Sequence, residues 1–334
     1  MKFRTGWPLL ALLAALPAAL CVPSSAANPR LAATAVTPMS DAFPPQMQTF
    51  PLYGDGPIPN SKPGPNQEFG AERGFLQKVS RPQILVYLPA KSRSNGASIV
   101  IFPGGSYLGL TFNYEGTQQA QFFIDHGIAA FVVKYRLPSD QTMVDKSIGP
   151  LQDAQQAIRF VRLHAGQWNL DPKRVGAIGF SAGGHLASTL ATHFEKAYIA
   201  NPEHINLRPD FLIVAYPVIS MDATIAHMDS RKALLGPHPS ASQVRFFSSE
   251  LQVTRQTPPT LILDAMDDRL VDPENSIVFL EALRRAGVPV AARFFERGQH
   301  GFFLIPRDRW QEPILEWLQD DGWLCPREPR AGEN

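Results

Sequence analysis

The side chains able to do chemistry fall in three short groups in the second half of the sequence. Gly179-Phe180-Ser181-Ala182-Gly183 joins an apolar run at 175–179 to a helix-like segment at 182–193. In a strand–turn–helix setting this G-x-S-x-G pattern lifts a serine hydroxyl onto a tight turn, and the glycines keep any Cβ off neighbouring backbone. The helix that follows brings N–H donors and a dipole that favours developing negative charge. A serine hydroxyl is a weak nucleophile until a base takes its proton, and the base needs an acid to orient it. Asp267 and Asp268 stand just beyond a second run at 260–264, and His300 lies in Gly298-Gln299-His300-Gly301-Phe302, beyond a third at 291–295. The order Ser, Asp, His is the one that a nucleophile elbow uses. Acyl transfer through a covalent intermediate fits these residues.

Acyl transfer also needs donors for an oxyanion. Phe102-Pro103-Gly104-Gly105-Ser106-Tyr107 follows a further apolar run and resembles a loop of the H-G-G-G type, with Pro103 where His is usual. The N–H groups of Gly105 and Ser106, with that of Ala182, are the candidate donors, because glycine lets backbone approach without a side chain intervening. The remaining histidines read as bland positions. His185 and His193 belong to the packing or surface of the helix behind the serine, His126 and His164 close amphipathic helices, and His204, His227 and His238 lie in loops. No H-x-x-x-H or Cys/His cluster has ligand spacing, so neither a metal nor an organic cofactor is expected. Tyr107, Glu115, Tyr135, Arg136 and Tyr216 stand near predicted strand ends, where pocket, core and surface roles are equally open.

The elements that must position these groups are legible from residue 81 onward. Short β-branched runs at 84–88, 98–102, 129–133, 175–179, 211–216, 260–264 and 291–295 alternate with helix-like segments at 115–126, 149–165, 182–193, 273–286 and 309–319. Several runs are apolar at consecutive positions, as expected for strands covered on both faces. The alternation predicts an α/β fold with a mainly parallel central sheet flanked by helices on both faces. All three chemical groups then fall after carboxyl ends of strands, where open α/β sheets hold their ligands. Residues 217–259 separate two strands by more than a helix requires, and are expected to form part of a rim or cap.

Composition narrows the partners. Lys plus Arg number 31 against 30 Asp plus Glu, with no basic stripe or acidic tail, so nucleic acid has no electrostatic footprint. The first residues carry Lys2 and Arg4, an apolar run from Trp7 to Val22 and the small residues Ser25-Ala26-Ala27. A signal peptide over 1–27 and a periplasmic or secreted destination are expected, with no membrane span after cleavage. Processing as a lipoprotein at Cys21 is the alternative, opposed by the bulky Leu20. Cys325 would then be the only thiol left, so core packing rather than a disulfide must stabilise the fold. Residues 28–65 hold nine prolines, and 28–80 are expected to be an extended arm ahead of a catalytic domain at 81–325 and a short tail at 326–334.

The segments VIFPGGSY (100–107), AAFVVKYRLP (129–138), LQDAQQAIRFVR (151–162), VGAIGFSAGGH (175–185), DDRLVDPENS (267–276) and GQHGF (298–302) resemble α/β-hydrolase serine esterases. The similarity is greatest to the bacterial acetyl-xylan-esterase-like, bifunctional deacetylase/feruloyl-esterase-like group. It implies the α/β-hydrolase fold, Ser181 as nucleophile, His300 as base, and an esterase acting on small or oligosaccharide esters; taken with the export expected from the leader, it implies acetyl esters of plant polysaccharides. The group's Asp-Asp-Pro-Val segment is matched with Arg269 and Leu270 in place of Pro and Val, and the resemblance puts the acid at Asp268. Adjacent residues leaving a strand point in different directions, which leaves Asp267 for the backbone donors of the loop. Feruloyl esters, longer acyl esters, peptides and a non-catalytic binding role are the alternatives. A gated peptidase would need an additional domain for which the 53-odd residues before 81 are too few.

Overall fold

The computed structural model describes residues 48–325. The expected signal peptide, Cys21, the first part of the arm and the tail lie outside the described residues. The core is an eight-stranded sheet: β1 Gln48–Pro51, β2 Gln83–Tyr87, β3 Ser98–Phe102, β4 Ala129–Lys134, β5 Val175–Phe180, β6 Leu212–Ala215, β7 Thr260–Ala265 and β8 Val290–Phe295. Their order across the sheet is β1-β2-β4-β3-β5-β6-β7-β8. Pairings from β4 to β8 are parallel, whereas β1 with β2 and β2 with β4 are antiparallel. Every residue of β3 to β7 is buried, which is why these strands read as apolar runs without alternation. Helices α1 Gln118–Asp125, α2 Gly149–His164, α3 Ala182–Thr192, α4 Met228–Leu235, α5 Ala241–Phe247, α6 Glu274–Ala286 and α7 Arg307–Asp320 complete the α/β-hydrolase fold.

One segment adds to the sequence expectation and another departs from it. The 217–259 connection, expected only to form part of a rim or cap, carries α4 and α5. It is fastened by buried polar contacts: Ser188 donates to Ser249 Oγ at 2.9 Å, and Asn275 Oδ1 accepts the N–H groups of Ile219 and Ser220 at 2.9 and 3.0 Å. The arm also does not end at residue 80. From Gln48 onward it is part of the folded body, because β1 pairs with β2 from Gln48 opposite Val86 to Pro51 opposite Gln83. A proline is tolerated there because β1 is an edge strand and needs no further donor.

Buried charges rivet this segment to the sheet. Arg136 and Asp153, both with side chains at 0 % exposure, meet at 2.7 Å. Arg136 also donates to the Pro59 carbonyl at 2.7 Å and to Ser61 Oγ at 3.1 Å, while Tyr53 donates to Asp153 at 2.8 Å. Burial alone disfavours the guanidinium charge, but the carboxylate outweighs it and holds Arg136 above its usual value. Lys134 Nζ meets Glu68 at 2.8 Å as a second tie. Arg136 thus has a structural role rather than a place in a pocket. Removing one member strands the other charge in a dry interior. Asp153→Ala should therefore cost about 3–5 kcal/mol of stability. Urea unfolding of both proteins measures it, and a loss under about 1 kcal/mol, the scale of exposed pairs, refutes the rivet.

Candidate active site

Ser181 connects β5 to α3 with φ 51° and ψ −121°. A non-glycine residue pays strain in this region, and such strain persists only where the surroundings over-determine it. Those surroundings are backbone. A Cβ on residue 183 would lie 2.0 Å from the Phe102 carbonyl oxygen, so only glycine lets the first turn of α3 approach β3. The Ser181 N–H donates to Ala215 O at 3.1 Å, and its carbonyl accepts the N–H of Val218 at 3.0 Å. The turn is thereby locked to β6 and the segment after it.

The structure brings Ser181, His300 and Asp268 into one chain of hydrogen bonds. His300 Nε2 lies 2.9 Å from Ser181 Oγ, and Nδ1 lies 2.7 Å from Asp268 Oδ2. A carboxylate can only accept, so Nδ1 carries the hydrogen and the lone pair of Nε2 faces the serine hydroxyl. The Asp268 side chain is at 0 % exposure and His300 at 17 %. Asp268 Oδ1 accepts the N–H groups of Leu270 and Val271 at 2.8 and 3.0 Å, which fixes the carboxylate plane. Asp267 points elsewhere: its Oδ1 accepts the N–H groups of Gly298 and Gln299 at 2.7 and 2.8 Å. Those donors hold the Asp267 carboxyl below its usual range. The two neighbours thus grip the histidine loop at two points, one on its backbone and one on the imidazole.

The loop after β3 lies beside the serine. Its carbonyls are engaged: Gly104 O accepts from Thr111, and Gly105 O from Leu108 and Gly109, at 2.8–3.0 Å. Among the described residues no acceptor engages the N–H groups of Gly105 and Ser106. Ala182 opens α3, so its N–H has no partner within the helix either. Positive φ at Gly105 (126°), Ser106 (59°) and Tyr107 (58°) curls the loop into a tight nest of main-chain groups. A Cβ at Gly104 would lie 2.8 Å from Ser181 Cβ, which places this loop directly against Ser181.

Five groups around the site, His185 among them, carry more than the sequence reading gave them. Tyr107, Glu115, Tyr135 and Tyr216, noted only as standing near strand ends, are all buried here. His185, read as a packing or surface position, bridges the loop after β3 and the 217–259 connection. Its Nε2 donates to Phe247 O at 2.7 Å, so its Nδ1 accepts the Tyr107 hydroxyl at 2.8 Å. Burial pushes this imidazole down to about 4, so it is neutral and serves as a bracket. The signal for Tyr107 and His185 was their place one step from the nest and the elbow, but pairing across 78 residues leaves no local trace. Glu115 sits on a π-helical turn, Phe112–Thr117, of a kind found often at functional sites.

No group of three or more His, Cys, Asp or Glu side chains is placed to hold a metal ion among the described residues. A cleft of about 580 Å³ opens at the β1 edge of the sheet, lined by residues such as Tyr53, Lys62 and Arg81, and none of the Ser181–His300–Asp268 chain borders it.

Comparison with known proteins places the chain. The family described as BD-FAE matches residues 84–283. The acetylxylan esterase of Xylanibacter ruminicola is 38% identical over 253 residues, 75% of this chain and 49% of that protein. Endo-1,4-beta-xylanase B of Butyrivibrio fibrisolvens is 38% identical over 236 residues, 70% of this chain and 36% of that protein. The chain therefore spans half or less of the length of these two curated relatives. Among solved structures, the acetyl ester-xyloside bifunctional hydrolase of Caldicellulosiruptor lactoaceticus superposes with a TM-score of 0.71 at 34% identity, covering 85% of this chain and 99% of that one. The matched region runs from β2 into α6 and includes both the elbow and the acidic pair, and on that ground the chain belongs to the BD-FAE family of α/β-hydrolases.

Proposed function

We propose that this protein is a carboxylic ester hydrolase that removes short acyl groups, foremost acetyl, from plant polysaccharides or their oligosaccharides. The observation that carries the reading is the Ser181–His300–Asp268 chain facing unspent N–H groups of Gly105, Ser106 and Ala182. The names of the relatives support the substrate class, and the N-terminal leader pattern supports export. Ser181 Oγ attacks the ester carbonyl as His300 Nε2 takes its proton, and Asp268 holds and stabilises the imidazolium that results. The carbonyl oxygen, now negative, meets the three N–H donors. Collapse expels the alcohol, which takes its proton from His300 and leaves an acyl-serine. Water then attacks the acyl-serine, with His300 again as base, releasing the carboxylic acid and free Ser181.

Ser181→Ala should abolish labelling by a fluorophosphonate probe and lower turnover of 4-nitrophenyl acetate by about a million-fold, with an unchanged circular dichroism spectrum. Near-normal hydrolysis by this variant overturns the mechanism. Asp268→Asn keeps the side-chain shape but favours the wrong imidazole tautomer, and should cost about 10⁴ in kcat. Asp267→Asn should instead loosen the histidine loop, lowering thermal stability with a much smaller loss of turnover. The reverse pattern would reassign the acid. Each added methylene changes binding in an apolar pocket by about 1–3 kcal/mol, so preference for acetyl over longer chains should be graded. More efficient turnover of octanoyl than of acetyl esters would replace this reading with a lipase.

A further inference from the structure

A buried carboxyl group that ester hydrolysis as derived above does not use lies directly behind the nest. Glu115, only 5 % exposed, accepts the Gly104 N–H on Oε2 at 2.6 Å and the Tyr216 hydroxyl on Oε1 at 3.1 Å. The carbonyl end of the same peptide unit is held as well, because Tyr135 donates to Pro103 O at 2.6 Å. With both ends fixed, the Pro103–Gly104 peptide plane is held, and the next plane, which carries the Gly105 N–H, is held in turn by Thr111 N–H on Gly104 O at 2.8 Å. Tyr216, strained at φ 39°, meets the His300 ring edge-on at 4.9 Å between centroids. One carboxyl group thus reaches the oxyanion donors through a hydrogen bond and the base through an aromatic ring.

We propose that ionised Glu115 is a positioning residue for the reaction at Ser181, fixing the oxyanion loop through Gly104 and favouring the cationic form of His300 as charge develops. This rests on the esterase reading. The ionisable groups that face Glu115 are Tyr216 after β6, Tyr135 after β4, its neighbour Tyr114, and His300 after β8, with Asp268 acting on Tyr216 from beyond β7. None of them is a lysine or arginine, so His300 is the one partner that becomes cationic during the cycle. Burial pushes the Glu115 carboxyl up to about 7, while the Gly104 N–H, His300 and the Tyr216 hydroxyl each pull it back. The charge, and the help it gives the transition state, is therefore present above pH 7 and is lost as pH falls through that value.

Glu115→Gln preserves shape and an acceptor for Gly104 but removes the charge. At about pH 8.5 its kcat on 4-nitrophenyl acetate should fall about 10- to 100-fold, the range of one charge-assisted hydrogen bond, with KM changed by less than about threefold. The ratio of wild-type to variant kcat should shrink as pH is lowered through about 7, because both proteins are then neutral at this position and protonation of His300 is common to both. Tyr216→Phe keeps the ring against His300 but removes a donor that favours the carboxylate, so the rise in kcat should move to higher pH. A kcat ratio independent of pH, or a Glu115→Gln kcat within about twofold of wild type, overturns the proposal. Should Glu115→Gln not fold, an unmoved pH profile in Tyr216→Phe overturns it alone. Failure of the esterase reading is distinct, since the wild-type protein itself would then neither turn over 4-nitrophenyl acetate nor react with the fluorophosphonate probe.

Discussion

The first turn of α3 runs so close to the end of β3 that the site is built from a clash avoided by one hydrogen atom. Parallel pairing sets Phe102 of β3 opposite Gly179 of β5, so the loops leaving these two strands start side by side. Gly183 then lets the helix N-terminus settle onto the β3 carbonyls, and Ser181 is forced into its left-handed turn between them. Ser181 and the Gly104–Ser106 loop share one small volume because two backbones do, not because side chains reach for each other. His300 and Asp268 reach Ser181 from the loops that follow β8 and β7.

Around that contact the protein keeps a dense set of polar groups out of water. Tyr107, Tyr135, His185, Glu115 and Asp268 each have a partner, and the partners are mostly main-chain atoms of the loops that they position. A buried polar group left unpaired costs about 1–3 kcal/mol, so these contacts are all-or-none brackets. The result is a set of dipoles already aimed before any substrate arrives, which is the condition under which electrostatic stabilisation of a transition state needs no reorganisation. The Arg136–Asp153 pair performs the same bracketing at the sheet edge, with no part in the chemistry.

What the sequence disclosed, and what it hid, follow one division. Strands β3 to β7 were legible because each is apolar over its whole length, and the elbow because glycine spacing reports a backbone constraint locally. The separate directions of Asp267 and Asp268 followed from strand geometry together with family resemblance. β1 was hidden because its four residues include Pro51, a residue that speaks against a strand everywhere except an edge. Helices α4 and α5 were hidden because they are short, eight and seven residues, and α5 is held by a contact distant in sequence, His185 of α3 on the Phe247 carbonyl, not by a pattern of its own. Glu115, Tyr135 and Tyr216 were visible as residues but not as a set, because a contact across 101 positions exists only once the sheet has formed.

The two outermost strands have a bearing on how the molecule behaves among its own kind. An open sheet ends in rows of unpaired amides that can recruit a strand from another chain. Among the described residues one border is the four-residue β1, closed by Pro51, and the other is β8, which shows solvent Ala292 and the charged Arg293 near its middle. The proline removes a donor from one border, and the arginine makes dehydration of the other expensive. Neither offers a long, flat, apolar template, and the interior strands β3 to β7, each a hazard if bared, stay sequestered between them.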